Sequence, residues 1–209
     1  MGELHRNLIG GEWVGGDAVP NINPSNTDDV VGDYARATKA DAEMAIQAAL
    51  TGHLVFSTLH TNDAPAAVVR LLELGVPDYL LEATLIGVMA QRLVRTLCPS
   101  CKAPGGELSD EVWQSIAGNW DIAKPATVYR PIGCPECRQT GYRGRTGIYE
   151  LLSVSEGFGK LVRESGELQS LRRQSIADGM KPLRIAGAMK VVEGVTTADE
   201  VLKVTSALS

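Results

Sequence analysis

The sequence predicts an α/β protein that carries a metal-binding subdomain and ends in a helical region. A strand-like apolar run at residues 53–59 is followed by helical patterns, and this alternation is typical of an α/β layer rather than a helical bundle. Two C-x-x-C pairs follow, in the middle of the chain. Helical periodicity then dominates from residue 159 onward.

The pattern of the first fifty residues predicts a short hairpin, a short strand and one helix. Residues 8–14 read as a β-hairpin with a Gly-Gly turn, and residues 21–33 read as a loop in which Val30 and Val31 form a short strand. Thr38 and Asp41 fit a capping box. The helix that they would start carries one apolar stripe, formed by Ala42, Ala45, Ile46 and Ala49.

The middle of the chain predicts a buried strand followed by two helices. Residues 53–59 include a continuous apolar run, as in a strand that is covered on both faces. Asp63 predicts the N-cap of a helix that Gly75 ends. Asp78 predicts the start of a second, mostly buried helix that continues to about residue 97.

On that second helix, Arg92 and Arg95 would lie one turn apart on one face. Together they could reach a phosphate or an acidic partner. The favoured alternative is a solvated helix end, where cations lie near the negative pole of the helix dipole.

The remaining elements follow from periodicity and capping. One short helix is predicted between the cysteine pairs, and residues 146–152 predict a strand. Thr197 and Glu200 predict a capping box for the last helix. Three helical patterns precede it, at residues 159–164, 167–179 and 182–193.

The net charge of −5 is unevenly distributed. Residues 1–49 carry eight acidic and three basic side chains, whereas residues 50–209 carry seventeen of each. This shift indicates two origins within one chain, and the missing basic surplus argues against nucleic-acid binding.

The N-terminus lacks the apolar core of a signal peptide, and the longest apolar run, residues 83–90, is too short to span a bilayer. We therefore expect a cytoplasmic protein without membrane insertion.

Four cysteines, the only ones in the chain, form two C-x-x-C pairs: Cys98 with Cys101, and Cys134 with Cys137. Two such knuckles can place four thiolates at the corners of a tetrahedron, which is the arrangement that Zn²⁺ prefers. Two disulfides, or four reduced structural thiols, are the alternatives, and the absence of secretory features disfavours the disulfides. We expect a structural zinc, because four protein ligands leave no open position for catalysis.

His60 lies where the predicted strand at residues 53–59 would end, at the edge where open α/β sheets bind ligands. It could face a ligand there, although a lone histidine is more often structural, and His53 lies at the other end of the run. The sequence contains no G-x-x-x-x-G-K-[ST] phosphate loop and no G-x-G-x-x-G fingerprint.

From about residue 42 to the C-terminus, the chain resembles the C-terminal part of type II secretion and type IV pilus assembly ATPases. The resemblance rests on several motifs in order, the first of which is similar to the family's histidine box. These are Thr51-Gly-His-Leu-Val-Phe-Ser-Thr-Leu-His-Thr-Asn-Asp63, Ala90-Gln-Arg-Leu-Val-Arg-Thr-Leu-Cys-Pro-Ser-Cys101, Cys134-Pro-Glu-Cys137, Gly141-Tyr-Arg-Gly-Arg-Thr-Gly-Ile-Tyr-Glu-Leu-Leu152, Asp178-Gly-Met-Lys-Pro-Leu183 and Gly194-Val-Thr-Thr197.

The resemblance implies a partial RecA-like motor core, a tetracysteine zinc subdomain and a helical C-terminal region. It further implies a homo-hexamer at the cytoplasmic face of the inner membrane, with platform proteins of that membrane as partners. The hexamer would bind and hydrolyse ATP with Mg²⁺. His53 and His60 would belong to the histidine box, and His60 and Arg92 would lie near the nucleotide. The family's phosphate loop and acidic boxes precede the histidine box and are absent here, so we expect this chain alone to be inactive as an ATPase.

Residues 1–49 resemble the N-terminus of an aldehyde dehydrogenase of the semialdehyde type. That resemblance rests on Leu8-Ile-Gly-Gly-Glu-Trp-Val14, Asn21-Ile-Asn-Pro-Ser25 and Ala40-Asp-Ala-Glu-Met-Ala-Ile46. We therefore expect a fusion whose crossover lies within residues 40–50, which suit both families. The expected division is a dehydrogenase-like segment with a hairpin (1–43), a partial motor core (44–97), a zinc subdomain (98–145) and a helical region (146–209).

The leading hypothesis is thus a truncated or chimeric secretion or pilus assembly ATPase that retains the C-terminal motor and zinc-binding part. One alternative is a fragment related to NAD-dependent semialdehyde oxidation, against which the missing nucleophilic cysteine of that family argues. The other is a stand-alone zinc-binding interaction module.

Overall fold

The computed structural model describes residues 39–207 in full, together with the backbone of residues 4–5, 7–9, 12–14, 18–22 and 30–35. The helices are α1 (Lys39–Leu50), α2 (Ala64–Glu73), α3 (Asp78–Thr84), α4 (Asp110–Ala117), α5 (Glu156–Glu164), α6 (Leu168–Ala177), α7 (Leu183–Val192) and α8 (Ala198–Val204). The strands are β1 (Leu4–His5), β2 (Asn7–Ile9), β3 (Glu12–Val14), β4 (Ala18–Ile22), β5 (Val30–Ala35), β6 (Gly87–Leu97), β7 (Ala103–Gly106), β8 (Val128–Arg130) and β9 (Tyr142–Ser153).

The N-terminal strands agree with the predicted hairpin. β2 and β3 pair antiparallel, with Leu8 opposite Trp13, whereas the predicted Gly-Gly turn lies outside the described residues. The expected short strand at Val30 is part of β5, which pairs antiparallel with β4 and parallel with β1. The proposed cap at Thr38 also lies outside the described residues.

The long antiparallel pair of β6 and β9 forms the centre of the molecule. Its register runs from Gly87 opposite Ser153 to Leu97 opposite Tyr142, with an irregularity near the end of β6. Because strand side chains alternate between two faces, one face of this ribbon is buried, including Val94, Ile148 and Leu152. The other face is exposed and carries Met89, Leu93, Tyr149 and Leu151.

The prediction of one long helix from Asp78 to residue 97 is wrong. α3 ends at Thr84, and the remaining residues form β6. A short apolar run does not by itself distinguish a buried helix from a strand, and here the pairing with β9 decides in favour of the strand. Arg92 and Arg95, three residues apart, therefore point to opposite faces of a strand instead of sharing a helix face.

The predicted strand at residues 53–59 is not formed. These residues have no regular secondary structure, and Leu54 and Phe56 are 69% and 88% exposed. A strand requires a neighbour for its backbone N–H and C=O groups. No strand within the described part of the chain pairs with this segment.

Within residues 39–207, two apolar clusters flank the ribbon and make up the core. In the first, Val94 and Ile148 pack with Ile116 of α4, Ala188 of α7 and Val201 of α8. In the second, further along the ribbon, Leu152 packs with α2, α3, α5 and α6 through Val68, Leu81, Phe158 and Leu171. Both clusters thus depend on the same pair of strands.

The turn between α7 and α8 is hydrogen-bonded to the end of β6. The Leu97 amide donates to the Val195 carbonyl at 2.8 Å, and the Thr196 hydroxyl donates to the Arg95 carbonyl at 2.8 Å. Lys102 Nζ donates to the Gly194 carbonyl, also at 2.8 Å. The two sequence-distant segments are therefore held as one unit.

The predicted capping box of α8 is wrong, because both of its side chains have other partners. The Thr197 hydroxyl lies 3.0 Å from the Tyr142 hydroxyl. Glu200, only 5% exposed, accepts from Arg95 Nε at 2.8 Å and from Arg95 Nη2 at 2.6 Å. The Arg95 guanidinium also lies over the Tyr142 ring, 4.1 Å from its centre. The hydrogen bonds from Arg95 lower the pKa of Glu200 to about 2.

We expect Glu200→Gln to lower the free energy of unfolding by about 2 kcal/mol at pH 7, because a buried charge-assisted pair is lost. The pKa of Glu200 is depressed from its ordinary value of 4.5 to about 2 in the folded chain. Its contribution is therefore present above pH 4.5 and declines as the pH falls toward 2. Urea unfolding of both chains at pH 7 and at pH 3 checks this.

Glu193→Gln is the matched control, since Glu193 pairs with Lys190 on the surface and an exposed ion pair contributes little. A difference between the Glu200→Gln chain and the original chain that does not change with pH would contradict the assignment.

Candidate metal centre and its surroundings

The four cysteine sulfurs converge on one point. Cys98 Sγ lies 3.9 Å from Cys134 Sγ, Cys101 Sγ lies 3.8 Å from Cys137 Sγ, and Cys134 Sγ lies 3.7 Å from Cys137 Sγ. All four lie within 4.8 Å of one another. A tetrahedron of sulfurs about 2.3 Å from a central zinc has edges of about 3.8 Å. The separations therefore fit a tetrathiolate metal site and are much too long for a disulfide bond of about 2 Å.

Backbone amides point at two of these sulfurs. Cys137 Sγ accepts from the Cys134 and Gly141 amides, each at 3.2 Å, and Cys101 Sγ accepts from the Gly133 amide at 3.4 Å. Burial disfavours the Cys137 thiolate, but the two amide donors and the neighbouring Cys134 and Cys101 thiols together outweigh burial and lower the pKa of this thiol to about 6. Burial instead raises the pKa of the Cys101 thiol to about 11. Amide donors of this kind orient and stabilise metal-bound thiolates.

The ribbon brings the two knuckles together. Cys98 directly follows β6, and its amide donates to the Gly141 carbonyl, just before β9, at 2.9 Å. The second knuckle is a single 3₁₀ turn, Pro135–Cys137. Across the pair, the Ser100 hydroxyl donates to Glu136 at 2.7 Å. Strand pairing thus closes the distance between cysteines that lie 36 residues apart in the sequence.

The residues of the expected histidine box lie along an exposed stretch. His53 Nδ1 lies 3.0 Å from the Thr51 hydroxyl and 3.3 Å from the Ala48 carbonyl, at the end of α1. His60 is exposed. Arg92 Nη2 donates to the carbonyl of Thr61, the residue after His60, over a long 3.5 Å. The structure thus brings Arg92 to the end of the histidine stretch, while His53 remains with α1.

Glu150 is a buried acidic residue that the sequence analysis missed. It is 4% exposed and lies on the inward face of β9, between Ile148 and Leu152. Its Oε1 accepts from the Ala64 amide at 2.8 Å and its Oε2 from the Leu183 amide at 3.0 Å, so it contacts the first residues of α2 and α7. Burial raises its pKa, which the two amides partly counter. An acidic residue at an inward position of an alternating strand was the signal available in the sequence.

Asp63 caps α2 as predicted. Its Oδ1 accepts from the Ala66 amide at 2.8 Å, and its Oδ2 accepts from Arg172 of α6.

No helix in the described part of the chain combines the length and apolar character needed to cross a membrane.

The sequence matches a protein-family profile described as Type II/IV secretion system protein over residues 35–203. The curated relatives include the Type IV pilus assembly ATPase TfpB of Acinetobacter baylyi, which is 53% identical over 163 residues, covering 78% of this chain and 28% of the relative. They also include the Type II secretion system protein E of Pseudomonas aeruginosa, which is 49% identical over 164 residues, covering 78% of this chain and 32% of the relative. The chain thus spans about a third or less of the length of these relatives.

Solved structures show the same α/β fold. The pilus retraction motor PilT with bound ADP superposes with a TM-score of 0.50 at 22% identity, covering 79% of this chain and 36% of PilT. The Yersinia pseudotuberculosis ATPase DotB superposes with a TM-score of 0.53 at 19% identity, covering 81% of this chain and 35% of DotB. The aldehyde dehydrogenase resemblance of residues 1–49 receives no support from these comparisons, and the family match begins within that segment.

Gly141→Ala tests the link between the ribbon and the cysteines. Gly141 has φ +74°, and a Cβ there would meet Pro131 Cβ at 2.3 Å. We expect the variant to lose about 3 kcal/mol of stability, because left-handed strain and steric overlap add. Gly144→Ala is the matched control, since φ is +79° but nothing lies within 4 Å, so that about 1 kcal/mol is expected. Equal losses in urea unfolding would contradict the packing assigned to Gly141.

Proposed function

Since the chain belongs to the Type II/IV secretion system protein family, we propose that it forms the metal-stabilised C-terminal part of a motor for type II secretion or type IV pilus assembly. Relatives that are named as an ATPase of type IV pilus assembly and as an ATPase of type II secretion support this proposal. The single observation that carries it is the family match, which extends over residues 35–203 and so includes both cysteine pairs.

We propose that Cys98, Cys101, Cys134 and Cys137 hold one structural Zn²⁺. The support is the sulfur spacing, which fits a tetrahedral tetrathiolate centre. A bound zinc would supply a cross-link between the two knuckles. The residues themselves orient the thiolates through the Gly133, Cys134 and Gly141 amides.

Zinc would also fix the relative position of β6 and β9, because the two knuckles adjoin the ends of these strands. Closing the site joins the segment after Leu97 to the segment before Tyr142. Metal binding and folding are then coupled in this subdomain.

We propose that the nucleotide-linked residues of this chain are His60 and Arg92, with His53 at the start of the same box. The long contact from Arg92 to Thr61 supports a shared location for Arg92 and the end of this box. The sequence has no phosphate loop, so ATP and Mg²⁺ would be bound with groups that this sequence does not contain. Assembly as a hexamer on inner-membrane platform proteins, and the division at residues 43, 97 and 145, belong to the same proposal.

We expect the purified chain to bind one Zn²⁺, and Co²⁺ substitution to give the intense thiolate-to-metal absorption of a tetrahedral tetrathiolate site. Cys98→Ser and Cys134→Ser should each abolish tight binding and lower the melting temperature, because the cross-link is lost. Glu136→Gln, which changes a neighbour that is not a ligand, is the control and should retain the metal. A folded, metal-free chain whose stability does not change on chelation would contradict the zinc proposal.

We expect the chain alone to release no phosphate from ATP above background, since it contains no phosphate loop. Phosphate release would be measured across a series of protein concentrations, with a chelated sample alongside. A rate that rises in proportion to protein concentration would contradict the assignment of nucleotide chemistry to other parts of the motor.

A further inference from the structure

Hydrogen bonds join the histidine-bearing segment to the described fold only at its two ends. Residues 54–60 make no hydrogen bond or ion pair within the described part of the chain. At one end, the Thr51 hydroxyl donates to the Ala48 carbonyl at 2.8 Å, within reach of His53. Hydrogen bonds therefore connect the segment to the rest of the molecule through α1 and through residues 61–64.

The second attachment, at residues 61–64, is much the stronger. Thr61 donates its hydroxyl to the Asp63 carbonyl at 3.1 Å and accepts from Arg92 through its own carbonyl. Asp63 pairs with Arg172. Ala64, which is fully buried, donates its amide to Glu150. Arg92, Arg172 and Glu150 lie on three different elements, β6, α6 and β9, so this short stretch is held from three sides.

Glu150 differs from Arg92 and Arg172 because its second carboxylate oxygen binds another helix, α7. Oε1 binds the first amide of α2 at 2.8 Å and Oε2 binds the first amide of α7 at 3.0 Å. Helix N-termini carry unpaired amides and a partial positive charge, which one buried carboxylate here satisfies at both helices. The two amides are 119 residues apart in the sequence, and both donate to this one side chain.

We propose that Glu150 is a positioning residue that couples the end of the histidine segment to α7, and thereby to the turn that α7 shares with the cysteine knuckles. Movement of Ala64 displaces a carboxylate that also holds Leu183, and α7 ends at the turn where Lys102 binds the Gly194 carbonyl. The coupling rests on the proposed function only for the link between the histidine segment and nucleotide. The contacts themselves require neither ATP nor metal.

The charge state of Glu150 matters because the bonds need a carboxylate with two accepting oxygens. The charged groups that act on it are Asp63 before α2, which disfavours the carboxylate, and Arg172 of α6, which favours it. Glutamine at this position offers one accepting oxygen and one NH₂ group. Glu150→Gln therefore removes one of the two helix contacts while it keeps the size and shape of the side chain.

The test uses the whole 209-residue chain, as purified and without nucleotide. In ¹H–¹⁵N spectra recorded across a pH series, the Ala64 and Leu183 amide protons are expected to titrate with one common midpoint, because one carboxylate binds both. Two separate midpoints, or no titration of either amide, would overturn the proposal. This measurement needs no variant, so a substitution that fails to fold does not affect it.

The coupling itself is measured by hydrogen exchange at Leu183. Asp63→Ala, which removes the cap of α2, is expected to speed exchange at Leu183 by about fivefold or more in the original chain. In the Glu150→Gln background the effect of Asp63→Ala on Leu183 should vanish, whereas in the matched Glu200→Gln background it should persist.

An effect of Asp63→Ala that is equal in all three backgrounds would show that the signal travels through Arg172 and α6 instead, and would overturn the role of Glu150. Failure of the zinc or phosphate-release measurements would contradict the proposed function but would leave these exchange results unchanged, so the two failures are distinguishable.

Discussion

The antiparallel pairing of β6 with β9 is the constraint on which the rest of the structure depends. It places Val94, Ile148 and Leu152 on one face, and those residues form the centre of both apolar clusters. It also brings the end of β6 next to the start of β9, so that the cysteine pairs meet. Closing the loop between the two cysteine pairs costs conformational entropy, which the pairing of β6 with β9 helps to offset.

Buried polar groups connect the ribbon to the helices on either side. Glu200 holds Arg95 at one end of the ribbon, and Glu150 holds the first turns of α2 and α7 near the other. The two carboxylates have opposite pKa shifts, because Glu200 has a bidentate guanidinium partner whereas burial dominates for Glu150. Buried carboxylates are costly unless they are fully hydrogen-bonded, so these contacts define where each helix must lie.

The zinc that we propose for the subdomain with the four cysteines would have a mechanical rather than a chemical role. Four thiolates leave no open coordination position. The same subdomain contacts the turn between α7 and α8 through Lys102, and the first residue of α7, Leu183, donates its amide to Glu150. The cysteine knuckles, the helical region and the end of the histidine segment are therefore linked by direct contacts within one set of elements.

The sequence by itself determined the features that depend on local spacing. The two C-x-x-C pairs indicated a four-thiol cluster, Asp63 indicated the start of α2, and ordered motifs indicated the family, because each signal is complete within a few residues. Only the tertiary structure decided that residues 87–97 form a strand, that Thr197 and Glu200 bind Tyr142 and Arg95, and that Glu150 joins two helices. Each of these outcomes depends on partners far away in the chain, and no local pattern of residues records which distant group will satisfy a buried polar atom or pair with a strand.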